Sequence, residues 1–127
     1  MKKVLKVSGI IILVLVLLIA GGFFYMSRGL AEGRNMVINE VNLASLANKS
    51  YLGRYEGGRW SNEVEVTVME NKIRKIVIIK DVQFPMSEVS KKLFAEVIEK
   101  QSLNVDIVSG ATVTCKAYLK SIENALK

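Results

Sequence analysis

Residues 60–80 read WSNEVEVTVMENKIRKIVIIK. In the first half, Val64, Val66 and Val68 alternate with Glu63, Glu65 and Thr67. Successive side chains of a strand point to opposite faces, so this pattern predicts a half-buried strand with one wet face. Glu70-Asn71 fits a two-residue hairpin turn, because Asn tolerates positive φ. The return, KIRKIVIIKDV, carries β-branched Ile73, Ile76, Val77, Ile78 and Ile79, which favour a pleated surface. Upstream, residues 51–56 form another candidate strand, closed by Gly57-Gly58. Downstream, Pro85 ends the sheet region, and Ser87 is placed to cap the helix SEVSKKLFAEVIEKQ. In that helix Val89, Leu93 and Val97 fall one turn apart, with Phe94 and Ile98 widening the stripe. Residues 103–108 read as a short extended segment. A last helix is expected from near Thr114, with Tyr118, Ile122 and Ala125 on one face. The expected class is α+β: a small antiparallel β-meander packed on helices.

Before this domain, residues 7–26 (VSGIIILVLVLLIAGGFFYM) carry no charge. At 1.5 Å per residue the run reaches about 30 Å, the thickness of a bilayer core. Lys2, Lys3 and Lys6 precede it and Arg28 follows, a bias that favours a cytoplasmic N-terminus and an extracytoplasmic remainder. A cleaved signal peptide is the rival reading. Its apolar region would be shorter and would end at a small-x-small site. Ala20-Gly21-Gly22 is a poor version of one, and Phe23, Phe24, Tyr25 and Met26 continue past it. The expected organisation is therefore an anchor over 1–26, a juxtamembrane connector over 27–50, and a domain over 51–127. Within the connector, Val37, Val41 and Ala44 hint at a modest helix.

The chain of 127 residues has a net charge of +6. Four of its 18 basic residues flank the apolar run; without them the balance is +2. That is an ordinary soluble surface, and no nucleic acid partner is expected. Histidine is absent, which removes the commonest general base and metal ligand. The single cysteine, Cys115, excludes both an internal disulfide and a structural zinc site. Any chemistry falls to hydroxyls, carboxylates or a cofactor.

The junction at residues 105–114 (VDIVSGATVT) gathers hydroxyls and small residues directly before the last helix. Two readings use the same atoms. Ser and Thr cap helices and Gly permits sharp turns, so the segment need only start a helix. Alternatively, free N–H groups and partial positive charge at a helix start suit a phosphate, Gly110 and Ala111 allow close approach, and Thr112 offers a hydroxyl. A nucleoside-triphosphate loop is excluded by the missing GK[ST] ending. No base accompanies the hydroxyls, which argues against a hydrolase.

Asp106-Ile107-Val108-Ser109-Gly110-Ala111-Thr112 resembles the flavinylation motif D-x-x-[ST]-G-A-T of the FMN-binding domain family, with every fixed position met. The family includes peripheral subunits of the sodium-pumping NADH:quinone oxidoreductase and of the ferredoxin:NAD oxidoreductase complex. It also includes many small membrane-anchored or secreted bacterial proteins. The similarity extends upstream through YLGRYEGGRWSNEVEVTVMENKIRKIVII, and so covers residues 51–127. It implies covalent FMN, esterified through its phosphate to Thr112 by a separate flavin transferase that uses FAD and magnesium. It further implies electron-transfer partners in the membrane, a quinone-linked complex among them, with the anchor held in membrane lipid.

Around Thr112, the resemblance implies a supporting role for Ser109 and close approach at Gly110 and Ala111. Thr114 is placed to cap the last helix. Asp106 either orients the loop, marks it for the transferase, or caps a turn. Many relatives have Ser where this chain has Cys115; the bland reading of that thiol is a small buried helix residue. Trp60, Tyr55 and Tyr118 are candidate stacking partners for a flavin ring, against the alternative that they are core. Gly57 and Gly58 either let a ring approach the backbone or form a bulge or turn. The expected function is a membrane-anchored, extracytoplasmic flavoprotein that relays electrons. The alternatives are a non-covalent FMN or phosphate-ligand module, and an envelope structural protein with a degenerate flavin domain.

Overall fold

The computed structural model of the protein describes residues 1–108 and 110–127. Its sheet has three antiparallel strands in meander order, β1 (Lys49–Tyr55), β2 (Asn62–Met69) and β3 (Lys72–Lys80). Among the described residues the α-helices are α1 (Lys2–Ser27), α2 (Leu30–Asn35), α3 (Ser87–Lys100) and α4 (Thr112–Leu126). The α+β meander expected from the sequence is the fold observed.

The β2–β3 turn is the predicted one, with both Glu70 (φ 54°) and Asn71 (φ 62°) left-handed, as a type I′ hairpin requires. Asn48 Oδ1 accepts the Glu70 N–H at 2.8 Å and holds the turn from the β1 side. On β2, Val64, Val66 and Val68 are fully buried, as their alternation predicts. On β3 strict alternation fails. Ile73 and Ile76 are three residues apart, which would place them on opposite faces. The pairing register shifts between Thr67 and Val68, so Val68 meets Ile73 while Thr67 meets Lys75. The extra residue, Arg74, is absorbed as a bulge, and both isoleucines turn to the core.

Helix α4 closes the buried face of the sheet. Tyr118, Leu119 and Ile122 are at most 1 % exposed. Each large apolar side chain buried there is worth about 1.5–3 kcal/mol. Helix α3 adds Leu93, Phe94 and Val97 to the same core. Its start departs from expectation: Ser87 is the first helical residue, Met86 holds the cap position, and no side chain caps it. At its other end Gln101 is left-handed (φ 52°). Its side-chain amide exchanges two hydrogen bonds with Ile73, at 2.7 and 2.9 Å, and so ties α3 to β3.

Residues 36–42 are not helical, contrary to the hint in Val37, Val41 and Ala44. Helix α2 lies earlier in the chain, and a single 3-10 turn follows at Leu43–Ser45. Extended backbone serves here because it lays the Asn39 N–H against α4 and the Glu40 carboxylate against the chain before α4. Glu123 accepts the Asn39 N–H, and Glu40 Oε1 accepts the Leu103 N–H at 2.9 Å. Glu123 is 2 % exposed and lies 2.6 Å from Lys120 Nζ. Burial alone would raise its carboxyl, but the Lys120 ammonium and the Asn39 N–H hold it below the ordinary carboxylate value. A group depressed on folding stabilises above its unfolded pKa, and that stability is lost as pH falls through the folded value. Amide protection at Asn39 should therefore persist at pH 7 and collapse in the acid range before the β2–β3 core opens. Glu123→Gln should remove that pH dependence in hydrogen exchange.

Helix α1 has no buried residue and is long and apolar enough to cross a membrane. Its end docks on the domain. Tyr25 Oη donates to Gln83 Oε1 at 3.3 Å. The Arg28-Gly29 backbone lies against Gly57-Gly58 so closely that a Cβ on Gly58 would sit 2.4 Å from Arg28 O, and one on Gly29 2.7 Å from Gly57 O. What approaches the paired glycines is the chain's own helix end.

Candidate functional site

Helix α4 starts at Thr112, two residues earlier than expected, with Ala111 at the cap position. Gly110 makes this possible. Its φ of 83° is left-handed, and open space surrounds it. The turn is closed by Ala111 N–H donating to Val108 O at 3.0 Å, and the helix opens with Cys115 N–H donating to Ala111 O at 2.9 Å. Thr112 is thus the first helical residue. It is exposed, and among the described residues its hydroxyl has no partner. Thr114 is not a cap. It lies buried in the first turn at 7 % exposure. Ser109 lies outside the described residues.

Thr112 opens onto a cleft of about 580 Å³, a size suited to a small-molecule ligand. Gly110, Ala111 and Thr114 share its rim, and Trp60, Val82, Phe84, Pro85 and Met86 form an apolar wall. Leu30 and Arg34 of α2 complete one side, with Arg59 on another. The Arg59 guanidinium lies 4.2 Å from the Trp60 ring centre and 5.6 Å from that of Phe84. Its Nε is buried without a hydrogen-bond partner among the described residues. Such an orphaned donor is costly unless a ligand satisfies it.

The other candidates are distributed elsewhere. Asp106 is exposed and faces Lys92, Glu96 and Lys100 on α3, outside the Thr112 cleft. Its backbone N–H points to Glu96 Oε1 at 3.4 Å. Tyr118 is fully buried, edge-on to Phe94 with ring centres 5.5 Å apart. Burial, and then its hydrogen bond to Asp81, raise its phenol well above the ordinary value. Tyr55 lies over Gly57 and lines a second cleft of about 810 Å³. In that cleft Arg54 is already paired with Glu63 at 2.9 Å. Of the three aromatic candidates only Trp60 reaches Thr112's cleft. Phe84, 51 % exposed, and the two arginines were not anticipated. No local pattern marks them, because they converge from three separate segments.

Cys115 is fully buried and is not part of the cleft wall. Burial raises its thiol pKa, only partly offset by the Val108 backbone. It is therefore an inert thiol at neutral pH. Cys115→Ser should keep the fold and cost about 1–3 kcal/mol in stability by burying a hydroxyl. Urea denaturation followed by circular dichroism measures it, and an unchanged midpoint would contradict this.

The arrangement offers an accessible hydroxyl at the positive end of a 15-residue helix, beside an apolar slot and two cations. That suits a ligand with a flat apolar part and a phosphate. A family model described as the FMN-binding domain matches residues 58–127. No solved structure matches the chain.

Proposed function

The chain belongs to the FMN-binding domain family, and from that premise we propose that it carries FMN as a phosphoester on Thr112 and relays electrons at a membrane. The domain and the apolar N-terminal helix together fit a membrane-anchored flavoprotein. The covalent link rests chiefly on one observation. The only motif hydroxyl described as exposed, that of Thr112, opens onto the cleft beside Trp60 and Phe84.

In attachment, Thr112 Oγ attacks the FMN phosphorus of FAD. The new O–P bond forms as the pyrophosphate bond breaks, AMP leaves, and the hydroxyl proton passes to a base on the transferase. Magnesium bound by that enzyme offsets the phosphate charge. Bound FMN supplies one- and two-electron transfer. The chain's own residues do the rest. The start of α4 would hold the phosphate, and Trp60, Phe84 and Met86 would offer the ring an apolar wall. A carrier of this kind needs no substrate site of its own. Its partners would be the flavin transferase and membrane electron-transfer proteins or a quinone-linked complex. The lysines in the first turns of α1, ahead of its apolar run, favour a domain on the extracytoplasmic side, where a covalent link would keep the flavin from being lost.

The test is intact mass and in-gel fluorescence of the full chain, expressed in membranes with and without the transferase. Covalent FMN only in its presence supports the reading. A colourless band of unmodified mass in both samples refutes it. Protease added to intact spheroplasts should digest the domain, and protection there would reverse the orientation.

A further inference from the structure

We propose that Arg34 and Arg59 clamp the phosphate at Thr112, so that the juxtamembrane helix α2 is a working wall of the flavin site. The inference rests on the reading of Thr112 as the attachment point. It extends that site beyond the matched family region, since Arg34 lies 24 residues before residue 58.

Three observations carry it. First, both arginines line the cleft of Thr112. Neither has a carboxylate within ion-pair distance among the described residues. Unpaired guanidinium groups converging on one slot match an anion, and their planar donor fork suits a phosphate. Second, the Arg59 Nε is buried without a partner. The contact of its guanidinium with the Trp60 ring leaves that donor unsatisfied. Third, α2 is held against the first turn of α4. A Cβ on Gly33 would come within 2.5 Å of Val113 Cγ1, and Lys116 Nζ donates to Arg34 O at 2.7 Å. This packing brings α2 to the start of α4, where Arg34 and Thr112 line the same cleft. Both functional side chains remain exposed at that contact.

The experiment uses the full chain in detergent, carrying Thr112→Ala so that no ester can form. FMN and riboflavin are titrated separately, followed by quenching of flavin fluorescence, with inorganic phosphate as competitor. FMN should bind about tenfold or more tighter than riboflavin, the range expected for charge-assisted hydrogen bonds. Arg34→Gln or Arg59→Gln should bring the two affinities together, while Arg34→Lys should restore part of the preference. Circular dichroism of each variant checks the fold. Equal affinity for FMN and riboflavin in the parent, or no binding of either, would overturn the clamp. So would inorganic phosphate that binds as tightly as FMN, since that describes a general anion site. Covalent FMN persisting on the Thr112→Ala chain would instead overturn the attachment reading.

Discussion

Thr112→Ala is expected to abolish covalent FMN completely while leaving the fold unchanged. The two halves of that result have separate causes. The hydroxyl is the nucleophile of the proposed ester, and no described neighbour can replace it. Thr114 is buried in the first turn of α4, so its oxygen could reach a transferase only if that turn unwound. The fold, by contrast, takes nothing from the Thr112 side chain. It is exposed, it caps nothing, and Ala is an excellent helix former at the first helical position. The stability change should stay within about 0.5 kcal/mol, the range of ordinary surface substitutions. Thr112→Ser keeps the oxygen and should retain part of the flavin. The readout is in-gel fluorescence with peptide mass mapping, after co-expression with the transferase. FMN mapped to Ser109 or Thr114 would sink the assignment.

Gly53→Ala should have the opposite profile, a large loss of stability with no change at any residue lining the Thr112 cleft. Strand β1 lies directly on α4 at this position. A Cβ on Gly53 would sit 1.9 Å from Ser121 O, 2.6 Å from Ala125 N and 2.7 Å from Ala125 Cβ. Two of the three obstacles are backbone atoms of the last turns of α4, so no rotamer change relieves the clash. The helix must move. Its position is fixed by Ser121 Oγ donating to Asn62 Oδ1 at 2.6 Å and Asn124 Nδ2 donating to Arg54 O at 2.8 Å. The cost should be about 3 kcal/mol or more, the upper end for overpacked cores. Urea denaturation of the full chain in detergent, followed by circular dichroism, measures it. Leu52→Ala, at a side chain 61 % exposed, is the matched control. A Gly53→Ala midpoint indistinguishable from that of the control would show that β1 and α4 are not packed as described.

The contrast between Thr112 and Gly53 shows what the sequence made legible. The alternating valines of β2, the Glu70-Asn71 turn and the apolar stripe of α3 are local patterns with fixed periods, and each appears where it was read. The bulge at Arg74 was hidden because a pattern read along one strand does not reveal the partner's register. Met86 at the start of α3 displaced the expected Ser87 cap because Ser fits the first helical turn as well as the cap position. Residues 36–42 misled for a related reason. Their apolar spacing serves extended chain whose Asn39 N–H and Glu40 carboxylate are bound by Glu123 and Leu103, and neither partner is near in sequence.

At the site, Thr112 and Gly110 stood out because a motif is contiguous. Arg34, Arg59 and Phe84 did not, because their meaning lies in convergence and not in spacing. Gly57 and Gly58 were read either as an opening for a ring or as a turn, and the structure has a 3-10 turn there, at Gly58–Trp60. Sequence could not say that Arg28 and Gly29 would be the visitors.

That last contact changes what kind of attachment the N-terminal helix makes. A polar linker would let the domain wander above a bilayer like a buoy on a line. Here backbone lies on backbone between residues 28–29 and 57–58, with Tyr25 latched to Gln83. In a bilayer, helix and domain would behave as a post and its bracket. The height of Thr112 over the lipid and the direction its cleft faces would be set by one rigid joint. Partners would then have to arrive by sliding in the plane of the membrane and turning to meet a fixed aperture. Lengthening the joint with inserted flexible residues would separate proximity from aim, which a free tether would never distinguish.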